Sequence, residues 1–351
     1  MSFDFLLYGA TGFVGSAAAR MAVAQGLRPL LAGRDLARLA SLADQLGVAY
    51  RVFPLDDAAA MDQALSETPV VLHCAGPYLH TFKPMVEACL RTGTHYLDLN
   101  GEMPVYEAIA ARDAEAKARG VMLLPSVGFD VAPTDCLAVH LQQRLPSATH
   151  LTLAFHPQGP AGLPPGTQRT TIELIPYGDR VRRGGQLVPP RRAIETRLID
   201  FGRGPVKALR VTWGDLFTAY HSTGIPNVTT WAAVSAAVRR QLILAVILRP
   251  LFRLPAVRKL LMRTVKPGPT PEALTRSWTD VWGEVTDDAG HAAAARLQGP
   301  EAGVVWTLQC ALAAVWRAVD GNVAPGYQTP ATAYGVDFVL ASEGVTWEDL
   351  D

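Results

Sequence analysis

The stretch Leu6–Gly15, LLYGATGFVG, decides how the rest of the chain reads. A short apolar run ends in Gly9, Gly12 and Gly15 follow at three-residue spacing, and Ser16–Ala24 beyond them is small, apolar and helical in character. Strand, tight turn and helix in that order open a doubly wound sheet. Glycine at the first position permits the sharp turn, and at the second it lets the backbone approach a pyrophosphate. At the third it lets helix pack closely on strand. Free N–H groups where the helix begins, across Thr11, Phe13, Val14 and Gly15, then face phosphate oxygens. An ordinary βα turn can carry the same glycines, but the flanking strand and helix favour a dinucleotide site.

At 351 residues the chain is too long for one ordinary core, so two domains are expected. Lys and Arg number 32 against 32 Asp and Glu, a balance that argues against a nucleic-acid partner and against disorder. Cys74, Cys89, Cys136 and Cys310 are scattered without ligand spacing, so they read as buried thiols in a reducing compartment and no metal site is expected. The chain enters its first strand without a charged, apolar leader, and no apolar run approaches the ~20 residues needed to span a bilayer. A cytoplasmic location is the expectation.

Arg28–Gly33 reads as the second strand, with Arg34 at its carboxyl end. An NAD-preferring fold usually carries an acid there to hold the ribose hydroxyls. An arginine, with Arg38 one helical turn further on, offers a guanidinium fork to a 2′-phosphate instead and points to NADP(H). The competing reading of Arg34 is a surface residue at a helix start. Ala37–Leu46 is a helix, and Tyr50–Phe53 is a third strand leading to Asp56, which suits either the adenine amino group or a helix cap. After a helix at Met61–Leu65, the apolar run Val70–Cys74 predicts a buried parallel strand. It ends in Ala75-Gly76-Pro77-Tyr78, at the face where open α/β sheets bind ligands. Ala75, Gly76 and Pro77 are expected to turn close to the cofactor. Tyr78 projects from that turn, either to stack or donate a proton or simply to pack. Pro84–Thr92 is helical, and the strand His95–Leu99 ends in Asn100-Gly101-Glu102 on the same side. Glu107–Arg119 reads as one helix, and Val121–Pro125 as a sixth strand running into a loop with Asp130, then a helix from Pro133 or Thr134. Six strands alternating with helices complete a Rossmann-type unit.

The second half reads differently. Leu151, Leu153 and Phe155 alternate with polar or small residues, as in a half-buried strand. Thr167–Ile175 is a helix whose start could face the nicotinamide, an anionic substrate group or nothing but its own cap. Gly178–Pro190, with Arg180, Arg182 and Arg183, predicts a basic hairpin. Ile194–Phe201 and Val206–Trp213 predict strands, and Asp287–Gly290 between two more is a hairpin turn. The fold class is therefore α/β, a Rossmann doubly wound parallel sheet, plus a second α+β domain with a mostly antiparallel sheet. The expected boundaries are 1–140, 141–325 for substrate and dimerisation, and 326–351 packing back on the first domain. Two apolar helices are expected near the end, Gly303–Val319 and Pro330–Leu340, packing back on the first domain. From Leu216 to Pro271 there is no Asp or Glu, while Arg239, Arg240, Arg249, Arg253, Arg258, Lys259, Arg263 and Lys266 accumulate among leucines. Pro250 and Pro255 interrupt this segment, which predicts short kinked helices. Such a composition suits peripheral membrane or lipid contact through Arg239–Lys266, or else a basic-ended helical hairpin or a dimer surface.

Taken together, YGATGFVG (8–15), AGR (32–34), CAGPY (74–78), GTHYLDLNGE (93–102) and PSVGFDVAPTD (125–135) resemble the saccharopine dehydrogenase-like family of NADP-dependent oxidoreductases. Ile225-Pro226-Asn227 and Thr329–Gly335 resemble its trans-acting enoyl reductase branch. The chain departs from the family pattern where Phe82 replaces a glycine, where DLTGE reads Asp98-Leu99-Asn100-Gly101-Glu102, and where Gly-Gly-Thr reads Pro165-Gly166-Thr167. The resemblance implies an NADP(H)-dependent enzyme acting on a small or acyl substrate held between two domains. The leading chemistry it implies is reduction of a C=C bond on a lipid-like chain. Such a reaction needs a proton for the carbon next to the reduced one, and Tyr78 and then Asp130 are the candidates by loop position. The alternatives are imine reduction of the saccharopine type, with Arg169, Arg180 and Arg182 meeting carboxylates, or a non-catalytic, membrane-associated NADP-binding protein. A homodimer is the default expectation.

Overall fold

The computed structural model describes residues 3–350. The chain divides into two compact units: residues up to Asp130 with Thr307–Ala333, and Val131–Trp306 with the residues from Tyr334 onward.

The first unit is built on β1 (Phe5–Tyr8), β2 (Pro29–Gly33), β3 (Tyr50–Val52), β4 (Val70–His73), β5 (His95–Asp98) and β6 (Met122–Leu124). They lie in the order β6-β5-β4-β1-β2-β3, all parallel, with the short strand Gly326–Tyr327 added in parallel beside β6. Every residue of β1, β2 and β4 is buried, which is why these strands read as continuous apolar runs without alternation. The order reverses between β1 and β4, and at such a switch point the loops leaving the carboxyl ends part to form a crevice. The first helices are α1 (Phe13–Ala24) and α2 (Leu36–Leu46). Asp35 caps α2 by accepting from the Arg38 N–H, and Gly47 ends it in the left-handed conformation.

One helical expectation changes here. Glu107–Arg119 is not one helix but two, Met103–Ala110 and Asp113–Ala118, with the break at Ala111-Arg112. The helix Thr307–Val319 lies inside the expected boundary 141–325 and packs on α1, β4 and β5 of the first unit. Its buried face, from Leu308 to Ala318, explains its apolar composition. Ala302–Val319 is the one described stretch long and apolar enough to cross a membrane, and 61% of it is buried, as in a core helix.

The second unit holds a mixed sheet of β7 (His150–Gln158), β8 (Val181–Arg183), β9 (Gln186–Val188), β10 (Thr196–Asp200), β11 (Pro205–Val211), β12 (Asn227–Ala233), β13 (Trp278–Thr286) and β14 (Ala292–Pro300). The order is β10-β11-β12-β7-β13-β14, followed by the strand Thr346–Leu350, and only the β7–β12 pair is parallel. The basic hairpin forms as β8–β9 and pairs with β12. Ala154, Ile199, Phe201, Trp231 and Trp282 pack together on the sheet. The helix Ala132–Arg144, placed by sequence within residues 1–140, packs instead on β13 and β14 of this unit. The C-terminal segment is not one helix packing on the first unit. It contributes Gly326–Tyr327 to the first sheet, a short helix Pro330–Tyr334, a 3₁₀ turn Val336–Ala341 against Ala132–Arg144, and a strand to the second sheet.

Candidate active site

The glycine turn follows from steric necessity at two positions. Gly9 has φ +83°, and a Cβ there would lie 2.9 Å from the Ala75 nitrogen; a Cβ on Gly15 would lie 2.2 Å from the Gly9 carbonyl oxygen. Only glycine lets β1, the loop after β4 and the start of α1 come this close. Gly12 is the N-cap of α1, with no side-chain cap and no acid in the first turn. The first-turn N–H groups of Phe13, Val14 and Gly15 are therefore oriented towards an anion at the positive end of the helix. Thr11 is held by the Arg38 guanidinium, which donates to its carbonyl at 2.5 Å.

Arg34 stands exposed at the carboxyl end of β2, and Asp56 stands exposed after β3. Both act electrostatically on Tyr8 at the end of β1. Burial pushes that phenol up to about 12, with Arg34 opposing the shift and Asp56 adding to it. Arg34, Arg38 and Asp56 thus share the edge of the sheet beyond the glycine turn. A diphosphate fits the turn, and a phosphorylated ribose fits the two guanidinium groups.

The loops after β4, β5 and β6 form one buried network. The Glu102 carboxylate accepts from the N–H groups of Tyr78 (2.8 Å) and Leu79 (2.7 Å), fixing the turn that Ala75, Gly76 and Pro77 begin. Asp98 accepts from the Tyr96 hydroxyl and from the N–H groups of Asn100 and Ser126, all within 2.7–2.9 Å. The Asn100 side chain in turn accepts from the Glu102 N–H at 2.8 Å, so the asparagine that departs from the family pattern builds the turn itself. Tyr106 and Ser126 both donate to the Asn100 carbonyl, and Ser126 sits at φ +59°, a conformation this network holds. Burial pushes Asp98 up to about 6 despite its three donors.

Tyr78 and Asp130 differ sharply. The Tyr78 ring is buried edge-on against His73, its hydroxyl donates to the His73 carbonyl at 3.2 Å, and burial raises its pKa well above the usual value. Asp130 lies beside Gly101, where an added Cβ would come within 2.8 Å of its Oδ2. Burial, with a smaller contribution from the Glu102 carboxylate, pushes Asp130 up to about 7. That value suits a group that exchanges protons near neutral pH.

Residues 5–124, β1 through β6, match the saccharopine dehydrogenase NADP binding domain. A trans-acting enoyl reductase of Mycobacterium leprae is 38% identical over 151 residues, 41% of this chain and 36% of that protein. A putative trans-acting enoyl reductase of Mycobacterium tuberculosis is 35% identical over 141 residues, 38% of this chain and 34% of that protein. The aligned region thus spans about a third of the length of these relatives. The fold of apo saccharopine dehydrogenase (L-Glu forming) from Saccharomyces cerevisiae matches over 99% of both chains, with a TM-score of 0.68 at 13% identity.

The structure brings Gly9–Gly15, Arg34, Asp56, Ala75–Tyr78 and Asp130 to the carboxyl end of one parallel sheet. Sequence reasoning assigned no role to Asp98, Tyr106, Ser126 or the Glu102 carboxylate. The i, i+2 spacing of Asp98, Asn100 and Glu102 was the available signal, since short polar side chains at that spacing build turns on neighbouring N–H groups. Among the described residues no group of three or more His, Cys, Asp or Glu is arranged to hold a metal. Arg182, a candidate for substrate carboxylates, is buried: it donates to the Leu216 and Gly185 carbonyls and lies 4.2 Å over the Tyr220 ring.

Proposed function

We propose that the chain is an NADP(H)-dependent oxidoreductase that reduces a C=C bond conjugated to a carbonyl on an acyl or lipid-like substrate. The observation that carries this reading is the glycine cradle on β1 with Arg34 where an NAD-binding acid would stand. In this account the first-turn N–H groups around Thr11, Gly12, Phe13, Val14 and Gly15 hold the diphosphate. Arg34 takes the 2′-phosphate, Asp56 the adenine amino group, and Ala75, Gly76 and Pro77 line the nicotinamide end. When bound, the reduced nicotinamide supplies a hydride.

The protein's own part is to position and to move a proton. Asp130, protonated below about pH 7, donates to the carbon beside the one reduced. Glu102 fixes the turn at Tyr78 and Leu79 and raises the proton affinity of Asp130. Tyr78 serves as packing, because its hydroxyl is already spent on the His73 carbonyl. The names of the mycobacterial relatives favour a C=C substrate. The internal engagement of Arg182 disfavours a tricarboxylate imine, which would need convergent free arginines.

The test is oxidation of NADPH by the purified chain in the presence of an α,β-unsaturated acyl thioester, with the saturated product measured by mass spectrometry. Equal amounts of oxidised cofactor and saturated product are expected. Tight NADPH binding with no turnover on any acyl thioester would refute the enzymatic reading.

A further inference from the structure

In the second unit the helices Ala236–Ile247, Arg249–Phe252 and Pro255–Met262 follow one another with no buried residue in any of them. Leu244, Ile247, Leu251, Leu254 and Leu260 are each 50–62% exposed. Residues at i and i+3 share a helix face, so Leu244 and Ile247 lie together on the first helix, and Leu251, Leu254 and Leu260 continue the exposed apolar surface along the segment. The cations divide into two sets. Arg249 pairs with Asp179 at 2.6 Å and Arg258 with Glu173 at 3.5 Å, while the Lys266 N–H donates to Gln168. These contacts tie the segment to its own unit. Arg240, Arg253, Lys259, Arg263 and the Lys266 side chain are exposed and have no ion pair among the described residues. No acid occurs from 216 to 271.

We propose that Ala236–Met262 is a docking surface for an anionic lipid bilayer. The exposed leucines and Ile247 enter the headgroup–acyl boundary, and Arg240, Arg253, Lys259 and Arg263 meet lipid phosphates. The charge pattern selects this occupant. A helical surface with exposed leucines and only positive charge is complementary to an anionic interface. A second copy of the chain would bring the same cations against themselves across a two-fold axis, which like charges oppose. The kinks at Pro250 and Pro255 let three short helices follow a flat surface rather than cross it.

The experiment is co-sedimentation of the full chain with phosphatidylcholine vesicles, with and without phosphatidylglycerol, at low and high salt. Binding to the anionic vesicles, at least about tenfold stronger than to the neutral ones and lost at high salt, is expected. Removing four cations in R240Q/R253Q/K259Q/R263Q should weaken binding by roughly several hundred-fold, at about fivefold per cation. Leu251→Ser with Leu254→Ser, which keeps every charge, should abolish binding while circular dichroism and thermal unfolding stay unchanged. The proposal is overturned by a folded wild-type chain that ignores anionic vesicles, or by binding that survives both variants. A leucine-dependent dimer, or capture of an acidic protein, without vesicle binding overturns it equally.

Discussion

Alanine substitutions at the three glycines of the first turn should have three different outcomes, because the space beside each differs. At Gly15 the new methyl would lie 2.2 Å from the Gly9 carbonyl oxygen, more than an ångström inside contact, and backbone atoms cannot swing away as a side chain tip can. Overpacking of this kind costs about 1–3 kcal/mol, and here the upper end applies, with alanine's helix propensity returning at most about 1 kcal/mol. For a unit of this size the thermal midpoint should fall by roughly 4–8 °C. At Gly12 the methyl would lie 3.2 Å from the same oxygen and faces outward, so a shift of a few tenths of an ångström relieves it. Gly12→Ala should keep its thermal midpoint and lose NADPH affinity by about tenfold to a hundredfold, since the methyl occupies the approach of the diphosphate. At Gly9 both penalties combine, because φ is +83° and the methyl would press on the Ala75 nitrogen. Thermal unfolding and calorimetric titration with NADPH separate these effects. A stable Gly12→Ala variant that binds NADPH like the wild type would refute the placement of the diphosphate.

Further predictions concern the network after β4–β6. Asp130 has its proton affinity raised in the folded state, so the folded chain holds a proton there between pH 3.8 and about 7 that the unfolded chain has lost. Its contribution to stability therefore falls as pH rises through that window, and Asp130→Asn should raise the thermal midpoint at neutral pH while leaving it unchanged near pH 3. In turnover assays the wild-type rate should decline above about pH 7, and Asp130→Asn should remove both most of the rate and that limb of the profile. Asp98→Ala strands two backbone N–H groups and the Tyr96 hydroxyl, and denaturant unfolding should show a loss of roughly 3–5 kcal/mol. Tyr78→Phe removes the hydroxyl's bonds to the His73 carbonyl and from the Leu99 N–H, so a stability loss of about 1–3 kcal/mol with an unchanged pH profile is expected.

The elements most legible in the sequence were those whose cause is local. β1, β2 and β4 are apolar on both faces, and Asp35 and Gly47 mark the two ends of α2. The hairpin turn at Asp287–Gly290 likewise carries its own signal, with the Asp287 carboxylate accepting from the Ala289 and His291 N–H groups. Strand β12 was not anticipated. Asn227–Ala233 lies between β11 and the parallel β7, is buried on both faces along much of its length, and so lacks the alternation that identifies a strand. Nor was the change of unit at Trp306-Thr307, which falls inside the continuous helical stretch Ala302–Val319. The glycine turn was readable because its glycines act through backbone position, and Arg34 because it stands directly after β2. The carboxylate network was not, since Glu102 meets the Tyr78 and Leu79 N–H groups only when the loops after β4 and β5 come together, and Ser126 meets Asp98 and Asn100 only when β5 and β6 pair.

The central claim is the preference for a phosphorylated dinucleotide, and paired calorimetric titrations of NADPH and NADH into the wild-type chain and an Arg34→Asp variant test it most directly. A charge-assisted bond to phosphate is worth about 1.5–3 kcal/mol, so the wild type should bind NADPH roughly tenfold to a hundredfold more tightly than NADH. Arg34→Asp should erase that difference while leaving NADH binding nearly intact. Equal affinity of the wild type for the two dinucleotides, or an equal loss of both in the variant, would contradict the account.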